Sequence, residues 1–82
     1  MPKKLTAFCI INTELGEEES VITTLKENLG IEEAFIVYGV YDIIAKVSAD
    51  TMDKLKDIVT WKVRRLNKVQ ASLTMIVIER EK

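Results

Sequence analysis

Two apolar runs constrain this chain more than anything else in it. Leu5–Thr13 near the start and Val69–Glu79 near the end carry hydrophobic side chains at odd and even positions alike. Side chains alternate along a strand. In the first run Leu5, Ala7, Cys9 and Ile11 therefore face one way, and Phe8 and Ile10 the other. In the last run Leu73, Met75 and Val77 oppose Ile76 and Ile78. An antiparallel strand in a small domain ordinarily turns one face to water. These two need cover on both sides, in a chain of 82 residues that is close to the smallest size able to hold a single core.

The sequence between them supplies that cover. Glu17–Leu29 has helical spacing, with Val21, Ile22, Leu25 and Leu29 on one stripe. Its acidic first turn, Glu17, Glu18 and Glu19, suits the positive end of the helix dipole. Gly30 stands where a helix commonly stops. Ile31–Tyr38 and Tyr41–Ser48 read as strands, joined by the turn Gly39-Val40-Tyr41-Asp42, whose glycine and aspartate suit a tight hairpin. Thr51–Leu66 is a second helix, with Asp50 as its expected N-cap and Asp53 three residues on. Met52, Leu55, Val59, Val63 and Leu66 form its core stripe, while Trp61 falls at an edge or in an interface. Glu79–Lys82 is a charged tail.

The order βαββαβ, joined by right-handed crossovers, specifies an α+β ferredoxin-like sandwich over residues 1–82. Its four-stranded antiparallel sheet has the order 4-1-3-2, with two helices on one face. That order sets the two doubly apolar strands side by side. The helices cover one sheet face only, and a soluble monomer does not tolerate an apolar patch of several hundred Å² on the other. The expectation is a domain that dimerises through its sheet.

Composition excludes more than it assigns. Twelve basic residues against thirteen acidic give a formal charge of −1, with no excess to drive binding along a phosphate backbone. The cluster Lys62, Arg64, Arg65 and Lys68 is best read as a solvated helix end favoured by the dipole. There is no histidine, so the commonest general base and metal ligand is missing. Cys9 lies in an apolar run and reads as a small buried hydrophobe. A single cysteine fits a reducing compartment, and no run approaches membrane-spanning length. Met1–Lys4 leads into a strand rather than into a secretory apolar segment, so a cytoplasmic protein without a membrane anchor is expected. No metal-ligand spacing, phosphate loop or nucleophile–base pair is present, and neither an enzyme nor a cofactor is expected.

Two segments carry polar groups with chemical potential. The first is Tyr38–Asp42, with free amides, two phenols and a carboxylate; each residue also suits a plain turn. The second is Ser72-Leu73-Thr74, whose two hydroxyls share a sheet face and also suit a plain strand.

Taken together these segments resemble the effector-binding (RAM) domain of Lrp/AsnC regulators, over roughly Leu5 to Glu79. The family's G-x-Y-D turn stands here as Gly39-Val40-Tyr41-Asp42, followed by the apolar strand Ile43–Val47, and the glycine before the first helix matches Gly16. The late pattern of Gly-Val, two variable residues and Thr-x-Thr stands as Lys68-Val69-Gln70-Ala71-Ser72-Leu73-Thr74, with Lys68 and Ser72 as departures. The chain starts at the first strand of this domain, so a stand-alone form without the helix-turn-helix, and without direct DNA binding, is expected.

The resemblance implies a homodimer through facing sheets, assembling into an octamer or similar ring, with full-length paralogues as further partners. It implies an amino-acid effector in clefts between dimers, lined by Tyr38, Gly39, Val40, Tyr41, Asp42, Ser72, Leu73 and Thr74. Amides near Gly39 and the hydroxyls of Ser72 and Thr74 would hold an α-carboxylate, Asp42 an α-ammonium, and Tyr38 and Tyr41 would wall the side-chain pocket. Two alternatives stay open: an oligomerisation domain without a ligand, and an ACT-like metabolic sensor, though the ACT pattern lacks the G-x-Y-D hairpin. Enzymes on this fold fit worse. The first turn, Glu14–Glu17, is acidic where an acylphosphatase cradles phosphate, and a dimeric-barrel oxygenase usually wants a histidine.

Overall fold

In the computed structural model, residues 5–78 are described. The elements are β1 (Leu5–Thr13), α1 (Glu18–Lys26), β2 (Ile31–Ile36), β3 (Ile43–Ala49), α2 (Met52–Asp57) running on into a π-helical segment (Ile58–Arg64), and β4 (Val69–Ile76). The strands form one antiparallel sheet in the order β2-β3-β1-β4, the expected 4-1-3-2 read from its other edge. The expected charged tail lies outside the described residues.

One sheet face and the two helices enclose the core. Ala7, Cys9 and Ile11 from β1, Ile43, Ala45 and Val47 from β3, Leu25 from α1, and Leu55 and Val63 from the second helix are all fully buried. The other sheet face is open. On it, cross-strand register aligns Phe35, Ile44, Ile10 and Leu73 in a row spanning all four strands. A second row runs Glu33, Lys46, Phe8, Met75. Phe35, Leu73 and Met75 stay about half exposed. The face is less uniformly apolar than β1 and β4 alone suggest, because Glu32 accepts a hydrogen bond from Ser48 Oγ (2.6 Å) and pairs with Lys46 (3.6 Å).

Four local expectations are corrected. Helix α1 stops at Lys26, three residues early, and Leu29 is 94% exposed instead of lying on the core stripe. The Asn28 side chain bonds back to the Thr24 carbonyl (2.9 Å) and helps to end the helix there. Gly30 is thus not the residue after the helix. It turns the chain into β2 at φ +96°, and a Cβ there would lie 2.5 Å from Ile58 Cδ1. The cap of α2 is Thr51 rather than Asp50, since Thr51 Oγ1 accepts the Lys54 N–H at 3.1 Å. The strands around the hairpin are shorter than the apolar runs, so the connection is wider than a tight turn.

Candidate functional site

The hairpin and the start of β4 meet at the same end of the sheet, on either side of β1. Ile11 pairs with Ile43 on one side and with Ser72 on the other. Two strand spacings, about 10 Å, therefore separate the Asp42 end of β3 from Ser72.

Val37 N–H donates to the Asp42 carbonyl (2.8 Å) and closes the loop, leaving Tyr38–Tyr41 outside the ladder. Gly39 adopts φ +157° with open space where a side chain would stand. Tyr38 and Val40 are exposed, Tyr38 fully so, while Tyr41 and Asp42 are half-buried. Asp42 is held on three sides. Its N–H donates to the Ile11 carbonyl (2.9 Å), and its Oδ2 accepts the Thr13 N–H (2.8 Å) and lies 3.4 Å from Thr13 Oγ1. The Thr13 amide is past the end of β3, so the carboxylate replaces the missing strand carbonyl. The role of accepting backbone amides is thus filled within the chain.

On β4, Ser72 and Thr74 share the helix-side face with Ile11 and Cys9, whereas Leu73 lies on the open face beside Ile10. The hydroxyls of Ser72 and Thr74 do share a face, as the sequence indicates. Leu73 does not line that side. Thr74 Oγ1 lies 3.7 Å from Cys9 Sγ. Burial pushes the Cys9 thiol above its ordinary range, and the Thr74 contact partly offsets this. Cys9 is the buried hydrophobe its position implies.

The departure at Lys68 has a definite place. Its carbonyl accepts the Glu14 N–H (2.9 Å), and its ammonium stands 3.5 Å from Glu17 Oε1. The helices run antiparallel, so the basic end of the second meets the acidic start of the first. A hollow of about 230 Å³ opens beside this pair, lined by Ser20, Val21, Thr24, Leu66, Asn67 and Lys68. Sequence reasoning missed it, since its two halves are more than forty positions apart and neither carries a motif. Among the described residues no acidic or cysteine cluster could hold a metal ion, and no helix is long and apolar enough to cross a membrane.

The strand order and helix placement define a ferredoxin-like α+β domain. The model of the Lrp/AsnC ligand binding domain matches residues 6–82, and the chain belongs to that family. Similar solved structures include FFRP-DM1 (39% identity, TM-score 0.86, covering 90% of this chain and 99% of that one). Another is the hypothetical protein PHS023 from Pyrococcus horikoshii (38% identity, TM-score 0.86, covering 93% and 92%). The transcriptional regulator NMB0573 from Neisseria meningitidis, solved with L-Met, shares the fold at 15% identity and TM-score 0.80, covering 95% of this chain and 52% of the regulator. No curated protein sequence matches the chain. The family is an effector-binding module of transcriptional regulation.

Proposed function

We propose that this domain senses a small amino acid and couples its binding to self-assembly, without enzymatic chemistry. The observation that carries the reading is the common position of two chemically distinct segments. Tyr38–Asp42 and Ser72–Thr74 sit at one end of the sheet about 10 Å apart, with Ile11 between them. Neither segment makes a hydrogen bond to the other among the described residues; Tyr38, Gly39 and Val40 are exposed, while Ser72 and Thr74 are partly exposed on the helix-side face. The L-Met complex of NMB0573, a regulator of the same fold, supports an amino-acid effector.

In this reading two copies join through the open sheet faces, with Phe8, Ile10, Phe35, Ile44 and Met75 covered. Dimers then meet at the hairpin end, and the cleft between them is walled by Tyr38, Gly39, Val40 and Tyr41 of one copy and by the β4 segment of another. The carboxylate of Asp42 acts first as a latch that fixes the hairpin, and through it presents the amides near Gly39 to the effector. Calorimetry of the native assembly against the twenty amino acids tests the proposal. One or a few should bind saturably, and replacing Tyr41 with alanine should weaken that binding. No binding to an intact assembly would leave the ligand-free oligomerisation domain as the better account.

A further inference from the structure

We propose that the hollow between α1 and the Leu66–Lys68 loop is a second binding site, separate from the hairpin cleft, that takes the zwitterionic head of a small free α-amino acid. Its floor is apolar, formed by buried Val21 and half-buried Leu66. Its rim is polar, formed by Ser20, Thr24, Asn67 and Lys68, and Glu17 stands just outside it as the ion-pair partner of Lys68. Lys68 Nζ and Glu17 Oε1 face each other at 3.5 Å, both side chains more than a third exposed. An exposed ion pair of this kind contributes little to the fold, so exchanging it costs little.

The chemistry of the rim selects the ligand class. A simple anion would have to displace Glu17 from Lys68 and leave that carboxylate unpaired beside it. A simple cation would face the converse. A zwitterion satisfies both, its carboxylate on Lys68 and its ammonium on Glu17, each through a charge-assisted hydrogen bond. Two further donors stand ready for the carboxylate. Neither Ser20 Oγ nor the Asn67 amide hydrogen-bonds another described residue, whereas the Thr24 hydroxyl is engaged with the Ser20 carbonyl (3.0 Å). A volume of about 230 Å³ is enough for the head group and a short side chain of a small amino acid. The site is complete within one chain, unlike the cleft.

The position also gives it leverage. The Lys68 carbonyl holds Glu14, and Val69 begins β4 directly after. A ligand that draws Lys68 away from Glu17 acts four residues from Ser72, directly before the strand that walls the proposed cleft.

The test is an amide-resolved NMR titration of the native assembly with L-alanine, with acetate and methylammonium as separate controls. Saturable shifts at Ser20, Val21, Thr24, Asn67 and Lys68 with L-alanine alone are expected. Lys68→Met should weaken this response about tenfold or more, the scale of one lost charge-assisted hydrogen bond. Ser20→Phe, a bulky change at an exposed helix position, should abolish it without altering the fold. Tyr41→Ala should leave it intact, which separates this site from the cleft. The proposal is overturned if L-alanine shifts only the hairpin and β4 amides, if acetate alone shifts the hollow equally well, or if no saturable response occurs there.

Discussion

The Oδ2 atom of Asp42 accepts the backbone N–H of Thr13 at 2.8 Å, tying the β2–β3 hairpin to the far end of β1. Thr13 is buried, so its amide has no easy recourse to water once this acceptor is removed. Asp42→Ala should destabilise the domain by about 1–2 kcal/mol, the lower range for a hydrogen bond to a charged group, because the aspartate is itself half exposed. Asp42→Asn, which keeps a carbonyl acceptor, should recover part of that loss. Chemical denaturation of the three proteins measures both. A stable Asp42→Ala protein that has lost effector binding would instead make Asp42 a direct ligand contact.

A different constraint sits at the opposite end of the sheet, where Gly30 turns the chain from α1 into β2. Its φ of +96° is costly for any residue with a Cβ, and the added atom would meet Ile58 Cδ1 at 2.5 Å. Gly30→Ala should therefore lower stability by about 1–2 kcal/mol from backbone conformation alone. Shortening the neighbour in Gly30→Ala/Ile58→Val removes the collision and leaves the backbone cost. The double variant should thus remain clearly less stable than Ile58→Val alone. Equal melting temperatures for those two would show that sterics, not φ, fixes the glycine.

The capping of α2 offers a direct comparison of neighbouring residues. Thr51 Oγ1 accepts the Lys54 N–H at 3.1 Å, so Thr51→Ala should cost about 1 kcal/mol. Asp50→Ala should change stability by well under that, since it forfeits only a charge near the helix start. A thermal melt of each variant distinguishes them, and a larger loss at Asp50 would return the cap to the aspartate.

These cases mark what the residues alone could specify. The βαββαβ order, the sheet order and the bounds of β1 were readable because alternation and helical spacing are set by the chain's own period. The end of α1 was not. Leu29 continues the helical stripe, yet the chain must leave that helix early enough to place Gly30 against Ile58, a contact between residues remote in sequence. Asp50 and Thr51 are both good caps, and only the backbone decides which side chain reaches Lys54. At the candidate site the hairpin and the Ser72–Thr74 segment were legible as motifs. That Leu73 faces away from them, and that Asp42 serves Thr13, depends on register and on a bulge opposite Asn12 and Thr13. The Glu17–Lys68 hollow lay beyond reach, since no local pattern marks it.

The open sheet face leads to a prediction about mass. Met75 is 47% exposed in the single chain and lies beside Phe8, next to the row of Ile10 and Leu73. If this face meets its copy, Met75→Lys places an unpaired cation in a desolvated interface, which is strongly unfavourable. Within one chain the same lysine remains solvated. Sedimentation should show the assembly falling toward monomer while the circular dichroism spectrum stays unchanged. An unaltered mass would locate self-association on some other surface.

Cys9 supplies the pH dependence. Its thiol is fully buried, and loss of hydration raises its pKa above the ordinary 9.0, with the Thr74 contact opposing. The folded chain then holds its thiol proton to higher pH than the unfolded chain does. Below the ordinary thiol value both states are protonated, and the contribution of this group to stability is fully present. As pH rises past about 9.0 the unfolded state deprotonates first, so that contribution declines until the raised folded value is passed. Tyrosines and lysines also titrate in this range, so the informative quantity is the difference between the native sequence and Cys9→Ala. Cys9→Ala should be less stable at neutral pH because it loses packing volume. The gap between the two proteins should narrow as pH climbs through the alkaline range. Urea titrations at several alkaline pH values give that difference directly, and a gap independent of pH would mean that the thiol ionises as readily folded as unfolded.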